Sequence, residues 1–134
     1  MEEFLGAWKV ESNEDFHKFL NHFGVPSPLA RLVASFGSTT EFSRINEDTY
    51  EITISSVKGK TRAAFKLGEE FNEKCSGDAT LKSKITIDNG VMKHVQYGSA
   101  ENIITTRTIN GELMTAIYNV GDLTCSRIYK RCTK

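Results

Sequence analysis

Closely spaced turn signals divide the chain from Thr39 onward into short segments. The signals recur about every ten residues, as at Leu67-Gly68, Asn89-Gly90 and Asn110-Gly111. Between them, apolar and polar residues alternate with a period of two, which is typical of β-strands that bury one face. Connections this short favour tight hairpins, so consecutive strands should pair antiparallel. Together with a first strand around Gly6, the pattern predicts roughly ten strands in a meander.

A sheet of that many strands tends to curl until its exposed edges meet. The predicted fold class is therefore all-β, a ten-stranded up-and-down antiparallel barrel. Such a barrel is too wide for its own side chains to fill, which predicts an internal ligand cavity. Hydroxyl residues on the candidate inward faces, among them Thr53, Thr105 and Thr115, fit a hydrated cavity better than a dry core. For any single threonine, the alternative is its ordinary preference for a solvent-facing strand position.

One stretch near the N-terminus has a helical period instead. A capping-box pattern, Ser12-x-x-Asp15, precedes a predicted helix of about three turns that should end at Gly24. The apolar stripe of this helix is Phe16, Phe19, Leu20 and Phe23. A second helix is predicted with Ser27 as its N-cap and Pro28 at its first position. The stripe of the second helix is Leu29, Leu32, Val33 and Phe36. This helix-turn-helix has no place in the sheet, so we expect a lid whose two stripes face the barrel mouth.

Two arginines share strand faces with apolar residues. Alternation places Arg127 on the face of Tyr129, and it places Arg107 on the face of Ile109. If these faces point inward, each unpaired charge costs on the order of several kcal/mol, so an anionic group should accompany them. Two alternatives remain open at this point. Either the face is reversed, with Ile128 inside, or an internal glutamate neutralises the arginines.

Composition limits the classes of function. The 134 residues fit one domain, 1–134. The chain has 17 basic and 17 acidic residues, so no overall electrostatic attraction to nucleic acid is expected. The acidic start Met1-Glu2-Glu3 is unlike a signal peptide, and no apolar run is long enough to span a bilayer, which predicts a cytoplasmic protein. Three cysteines without CxxC spacing predict reduced thiols and no metal site.

Signals for catalysis are missing from the sequence. No GxSxG, HExxH or P-loop pattern occurs, and His94 has no histidine partner in its strand. Cys125 is a nucleophile beside the candidate arginine, and we interpret it as a small apolar residue of the cavity wall. We therefore predict a protein that is not an enzyme and uses no cofactor.

Five blocks make the sequence similar to the intracellular lipid-binding proteins, and more narrowly to the cytosolic fatty-acid-binding proteins. In chain order they are Phe4-Leu5-Gly6-x-Trp8-Lys9, Phe16 with Gly24-Val25, Phe65-Lys66-Leu67-Gly68-x-Glu70-Phe71, Asn110-Gly111-x-Leu113 and Cys125-x-Arg127-x-Tyr129. Arg107 stands where this family has its other internal arginine. The resemblance covers essentially the whole chain.

The resemblance implies a monomeric carrier of one long-chain fatty acid, whose carboxylate is bound by Arg107, Arg127 and Tyr129. It also implies that Arg127 points inward. Two arginines favour an acid ligand, with a retinoic acid as the alternative. A transient contact of the lid with membranes is a further expectation, and no nucleic acid is expected as a partner.

A second set of residues is expected to line the cavity or its portal. These candidates are Phe16, Thr53, Val57, Lys58, Gln96 and Thr115. Val57 occupies a position that is often Phe in the family, and Lys58 lies in a turn that is one residue longer. Ligand entry is therefore where this chain departs most from the family pattern.

Overall fold

The computed structural model describes residues 1–12, 16–57, 59–74, 80–98 and 101–132. In chain order its elements are a 3-10 turn (Glu2–Phe4), β1 (Gly6–Ser12), α1 (Phe16–His22), α2 (Ser27–Phe36), β2 (Ser38–Arg44), β3 (Tyr50–Ser56), β4 (Gly59–Phe65), β5 (Glu70–Lys74), β6 (Thr80–Asp88), β7 (Val91–Tyr97), β8 (Ile103–Asn110), β9 (Leu113–Val120) and β10 (Leu123–Cys132). The helices of the described residues are too short or too polar to cross a membrane.

All ten strands belong to one sheet with the order β4-β3-β2-β1-β10-β9-β8-β7-β6-β5. Neighbouring strands are antiparallel, and the first strand pairs with the last, with Trp8 opposite Arg131 and Val10 opposite Tyr129. Because the first and last strands are paired, the sheet curves into a barrel. The predicted ten-stranded antiparallel barrel is confirmed.

The barrel is open between β4 and β5, which lie at the two ends of the strand order and share no ladder. The prediction of a hydrogen-bonded hairpin at Leu67-Gly68 is therefore wrong. The backbone N–H of Gly68 donates to the carbonyl of Ile85 in β6, at 2.9 Å, so the turn is bonded to β6 and not to β4. Side chains fill this seam between β4 and β5, with the Phe65 and Phe71 rings 5.5 Å apart.

The apolar core includes the single tryptophan of the chain. Trp8 is fully buried, and its indole N–H donates to the carbonyl of Phe4 at 2.9 Å. The Arg131 guanidinium lies 4.1 Å from the centre of the indole ring. The first contact connects β1 to the N-terminal turn, and the second connects β10 to β1.

The two helices follow β1, as predicted, but their beginnings differ from the prediction. The described part of α1 has seven residues, about two turns rather than three. Ser12 is the last residue of β1, and the remainder of the capping-box pattern, residues 13–15, lies outside the described residues. The N-cap of α2 is Pro26 and not Ser27, because Pro26 is extended and Ser27 is already helical. Gly37, with a φ of 68°, ends α2 where expected.

The face that α2 packs against the protein is not the predicted stripe. Ala30 and Ala34 are buried, whereas Leu29 and Leu32 are 49% and 54% exposed. Each buried alanine lies one or two positions beyond a leucine, so the packed face is rotated around the helix axis, and small side chains let the helix approach closely. The other two residues of the predicted stripe, Val33 and Phe36, have side chains outside the described part. The predicted stripe of α2 is thus wrong for both of its described leucines.

Candidate functional site

Both interior arginines are buried on the inner face of the barrel. Arg107 in β8 is 4% exposed and Arg127 in β10 is 6% exposed, while Ile128 lies on the exposed outer face. Tyr129 is 2% exposed on the same face as Arg127. The inward orientation of Arg127 is confirmed, and the reversed orientation is wrong.

The two arginines stand in one row across three neighbouring strands. Ala116 of β9 is the register partner of Arg107 on one side and of Arg127 on the other. Strand spacing puts the two arginine backbones about 10 Å apart, with only a methyl group between them. The two long side chains can therefore approach the same small group from both sides.

The positive charge of Arg107 is balanced by Glu73, with His94 hydrogen-bonded between the two. Nη1 of Arg107 donates to Nδ1 of His94 at 3.2 Å, and Nε2 of His94 lies 2.8 Å from Oε1 of Glu73. Because a guanidinium has only donors, Nδ1 of His94 must accept, so His94 is neutral and donates through Nε2. The open alternative of an internal glutamate is thus correct for Arg107.

Three donors converge on the Glu73 carboxylate. Besides His94, the hydroxyl of Ser83 and the amide of Gln96 donate to Oε1, at 2.9 and 3.2 Å. Burial raises the pKa of Glu73, but the bonds from His94 and Ser83 and the charge of Arg107 outweigh this and lower it overall. Burial, aided by Arg107, lowers the pKa of His94 despite the nearby Glu73. Glu73 is therefore charged and His94 neutral at physiological pH.

Acid should destabilise the fold through this network. Both groups have lowered pKa values when folded, so the unfolded chain binds more protons and stability falls as the pH falls. The loss begins below the ordinary histidine pKa near 6.5 and deepens below the ordinary glutamate pKa of about 4.5, where Glu73 of the unfolded chain binds a proton before that of the folded protein. Urea unfolding between pH 7.5 and 4 measures it. His94→Gln should make the free energy of unfolding depend less on pH above pH 5. His17→Gln, which lies outside the network, should leave this dependence unchanged. An unchanged dependence in His94→Gln would contradict the assignment.

Arg127 has neutral partners only. Its Nη1 lies 3.2 Å from the Ser38 hydroxyl and 3.5 Å from the Tyr129 hydroxyl, and its guanidinium carbon is 3.7 Å from the centre of the Phe16 ring. Among the described acidic side chains, none forms an ion pair with Arg127. Within the same residues, Nε of both interior arginines is buried without an acceptor. Arg127 is thus a buried cation with unused hydrogen-bonding capacity.

A pair of tyrosines adjoins Arg127. The hydroxyls of Tyr129 and Tyr118 are 2.8 Å apart. Burial raises the pKa of Tyr129, but the charge of Arg127 and the bond to Tyr118 outweigh burial and lower it. Burial and the neighbouring Tyr129 instead raise the pKa of Tyr118. The Tyr118 ring also contacts Phe16 and Phe19 of α1, at centroid distances of 5.6 and 5.5 Å.

The predicted cavity and portal residues separate into two groups. Phe16 and Gln96 face the interior, the first on Arg127 and the second on Glu73. Val57 is 58% exposed just after β3, and Lys58 lies outside the described residues.

Two threonines of that prediction lie on the outer face, so their inward placement is wrong. Met114 and Ala116 are the buried neighbours of Thr115, and alternation turns Thr115 outward. Thr53 alternates with the core residue Ile52 and is shielded by its cross-strand neighbours Glu41 and Arg62.

Sequence reasoning did not identify Glu73, His94 or Tyr118 as site residues. Alternation carried a signal for Glu73, because it shares a face of β5 with the apolar Phe71. The same rule places His94 with Met92, and Tyr118 with Ala116. The contact of Glu73 with His94 and that of Tyr118 with Tyr129 depend on which strands are neighbours, and the alternation of a single strand does not contain this information.

The described interior carries a net positive charge that an anion could balance. The buried charges of the described residues are Glu73, Arg107 and Arg127, which leave one positive charge when His94 is neutral. In the described part of the chain, no three His, Cys, Asp or Glu side chains are grouped to hold a metal ion. A guanidinium has only hydrogen-bond donors, so both arginines are suited to binding an anion.

Comparisons with known proteins agree with this architecture. The family model described as "Lipocalin / cytosolic fatty-acid binding protein family" matches residues 5–131. Fatty acid-binding protein 9 of Homo sapiens is 33% identical over 131 residues, which make up 98% of each chain.

Two solved structures are similar along their whole length. The crystal structure of Echinococcus granulosus fatty-acid-binding protein 1 has a TM-score of 0.90 at 30% identity, covering 99% of this chain and 100% of that one. The Schistosoma mansoni fatty acid binding protein in complex with arachidonic acid has a TM-score of 0.87 at 27% identity, covering 99% of this chain and 98% of that one. The chain belongs to the lipocalin and cytosolic fatty-acid-binding protein family, as its sequence predicted.

Proposed function

We propose that this protein is a non-enzymatic cytoplasmic carrier that binds one long-chain fatty acid inside its barrel and transports it. The observation that supports this most is Arg127, a buried guanidinium that pairs with none of the described carboxylates. A ligand carboxylate supplies the missing charge, and its two oxygens match the paired donors of a guanidinium. The relatives described above are named fatty acid-binding proteins, one of them solved with arachidonic acid. The carrier acts as a monomer in this proposal, because one chain supplies every group of the site.

The interior charge favours a ligand with a single negative charge. Glu73 offsets Arg107 through His94, so one uncompensated positive charge remains at Arg127. A fatty-acid carboxylate balances this charge, whereas a phosphate monoester with two charges would leave one in excess inside the barrel. Tyr129 adds a neutral donor, and the Ala116 methyl leaves room between the two arginines.

Ligand binding to delipidated protein tests the proposal. Oleic acid should bind with a much lower Kd than its methyl ester, which has the same chain but no anion. Equal affinities of the acid and the ester would overturn the carboxylate site. Retinoic acid meets the same charge requirement and is the alternative ligand, so it belongs in the same titration. A mass spectrum of lipid extracted from freshly purified protein identifies which acid the protein carries.

Transient contact of the lid, α1 and α2, with membranes is the proposed route of ligand exchange. Leu29, Leu32 and Phe23 are each about half exposed, and Arg31 is exposed on the same helix as the two leucines. Exposed apolar side chains beside a basic residue suit the surface of an anionic bilayer. Oleate transfer to anionic vesicles should then slow as salt rises. Transfer indifferent to salt and to vesicle charge would leave diffusion through water as the route.

Replacement of residues 14–36 by a short Gly/Ser linker should leave a folded barrel with faster ligand release. The strand ladders do not include the helices, while Phe16 and Phe19 of α1 cover Arg127 and Tyr118. We expect the dissociation rate of oleate to rise more than its association rate changes, as is usual for altered binding sites. Stopped-flow release measures the rate, and circular dichroism checks the barrel. An unfolded variant would show that α1 and α2 belong to the core.

A further inference from the structure

Tyr118 has contacts that the carboxylate site, as proposed above, does not use. Its hydroxyl lies 2.8 Å from the Tyr129 hydroxyl, and its ring packs against Phe16 and Phe19. The strand register sets Tyr118 between Thr105 of β8 and Cys125 of β10. Both the ring and the hydroxyl are therefore fixed in position next to Tyr129.

The direction of the hydrogen bond between the two tyrosines follows from their neighbours. Arg127 has only donors, so the Tyr129 oxygen is the acceptor where Arg127 Nη1 approaches it at 3.5 Å. The positive charge of Arg127 makes that oxygen the better acceptor of the pair, and the lowered pKa of Tyr129 agrees with this. Tyr118 therefore donates its proton to Tyr129. Because a hydroxyl has a single proton, the proton of Tyr129 must then point away from Tyr118.

We propose that Tyr118 is a positioning residue of the carboxylate site, which holds the Tyr129 hydroxyl so that its proton is directed to the ligand. This inference rests on the proposed function. Thr40 also hydrogen-bonds to Tyr129, and a threonine hydroxyl can rotate to donate or to accept, so it does not fix the Tyr129 proton in one direction. A carboxylate is a stronger acceptor than a hydroxyl and takes the proton when it reaches Arg127. Tyr118 itself does not touch the carboxylate.

A double-mutant cycle tests the proposal. The variants are Tyr118→Phe, Tyr129→Phe and the double variant, each titrated with oleic acid and methyl oleate. Tyr118→Phe keeps the ring and its contacts with α1, so the variant should fold, and circular dichroism checks this. We expect it to weaken oleic acid about threefold to tenfold, the range for one lost neutral hydrogen bond. Methyl oleate should change less than twofold, because it carries no anion for Tyr129 to meet.

The double variant separates positioning from packing. If Tyr118 acts through Tyr129, Tyr118→Phe should have no effect on oleic acid in the Tyr129→Phe background. Independent, multiplying losses would overturn the proposal, as would an equal loss for methyl oleate. Tyr50→Phe is the matched control, since it removes a phenol hydroxyl from a buried ring that packs against Phe65, away from Arg127. Wild-type protein that does not prefer the acid to the ester would instead overturn the carboxylate site itself.

Discussion

Replacement of Glu73 by leucine is expected to destabilise the protein by about 3–5 kcal/mol, the usual cost of removing one partner of a buried ion pair. The substitution leaves Arg107 buried without a counter-charge and deprives His94 and Ser83 of their acceptor. Urea unfolding of the ligand-free protein at pH 7 measures the loss. No comparable loss is expected from a surface carboxylate such as Glu47, which is exposed in the turn after β2.

Two further variants divide this cost between charge and hydrogen bonding. Glu73→Gln keeps an oxygen that accepts hydrogen bonds from His94 and Ser83. The stability that this variant loses therefore measures the effect of the charge alone. The double variant Glu73→Leu/Arg107→Met removes both charges and should recover much of the stability, because buried ion pairs can be replaced by apolar residues at little cost. A double variant as unstable as Glu73→Leu would show that Glu73 stabilises the fold through His94 and Ser83 and not by balancing Arg107.

Replacement of Arg127 by leucine is expected to weaken oleic acid binding by roughly 1.5 to 3 kcal/mol, the range for a hydrogen bond to a charged group. The ligand-free protein should become more stable at the same time. Arg127 is buried beside neutral hydroxyls and the Phe16 ring, and an apolar side chain of similar size removes the cost of burying its charge. Isothermal titration gives the affinity, and urea unfolding gives the stability.

Arg107→Leu is the matched comparison for Arg127→Leu. It should destabilise the ligand-free protein, because it leaves the Glu73 carboxylate buried without the cation that balances it. The two arginine variants are therefore expected to change stability in opposite directions. Methyl oleate should bind both variants as it binds the wild type. If oleic acid binding is unaffected in both, the arginines do not bind the carboxylate and the proposed function fails.

Strand alternation predicted much of the barrel interior but did not identify which face of a strand points inward. Apolar residues accompany Arg127 on one face, yet Ile128 on the other face made the reverse orientation equally consistent with alternation. The family resemblance settled that orientation correctly. The predicted inward placement of Thr53 and Thr115 was wrong because threonine suits either face of a strand. Its presence indicates a strand but not which face of the strand points inward.

Contacts between residues far apart in the sequence could not be predicted from its local patterns. Glu73, His94 and Arg107 come from three strands, and only the strand order brings them into one network. A turn signal such as Leu67-Gly68 reports that the chain reverses, but it does not report whether the flanking strands form a ladder. The packed face of α2 was missed because apolar periodicity favours leucine over alanine, while close packing here selected Ala30 and Ala34.

The seam between β4 and β5 means that the circumference of the barrel is not fixed by a continuous ring of backbone hydrogen bonds. In the described residues, each of these two strands has a ladder on one side only, whereas β1 and β10 are paired on both sides. The seam can widen by separating the Phe65 and Phe71 rings without breaking a ladder. Amide hydrogens along β4 and β5 should therefore exchange with solvent sooner than those of β1 and β10. The barrel can therefore change its circumference at the seam between β4 and β5, while β1 and β10 stay paired with each other.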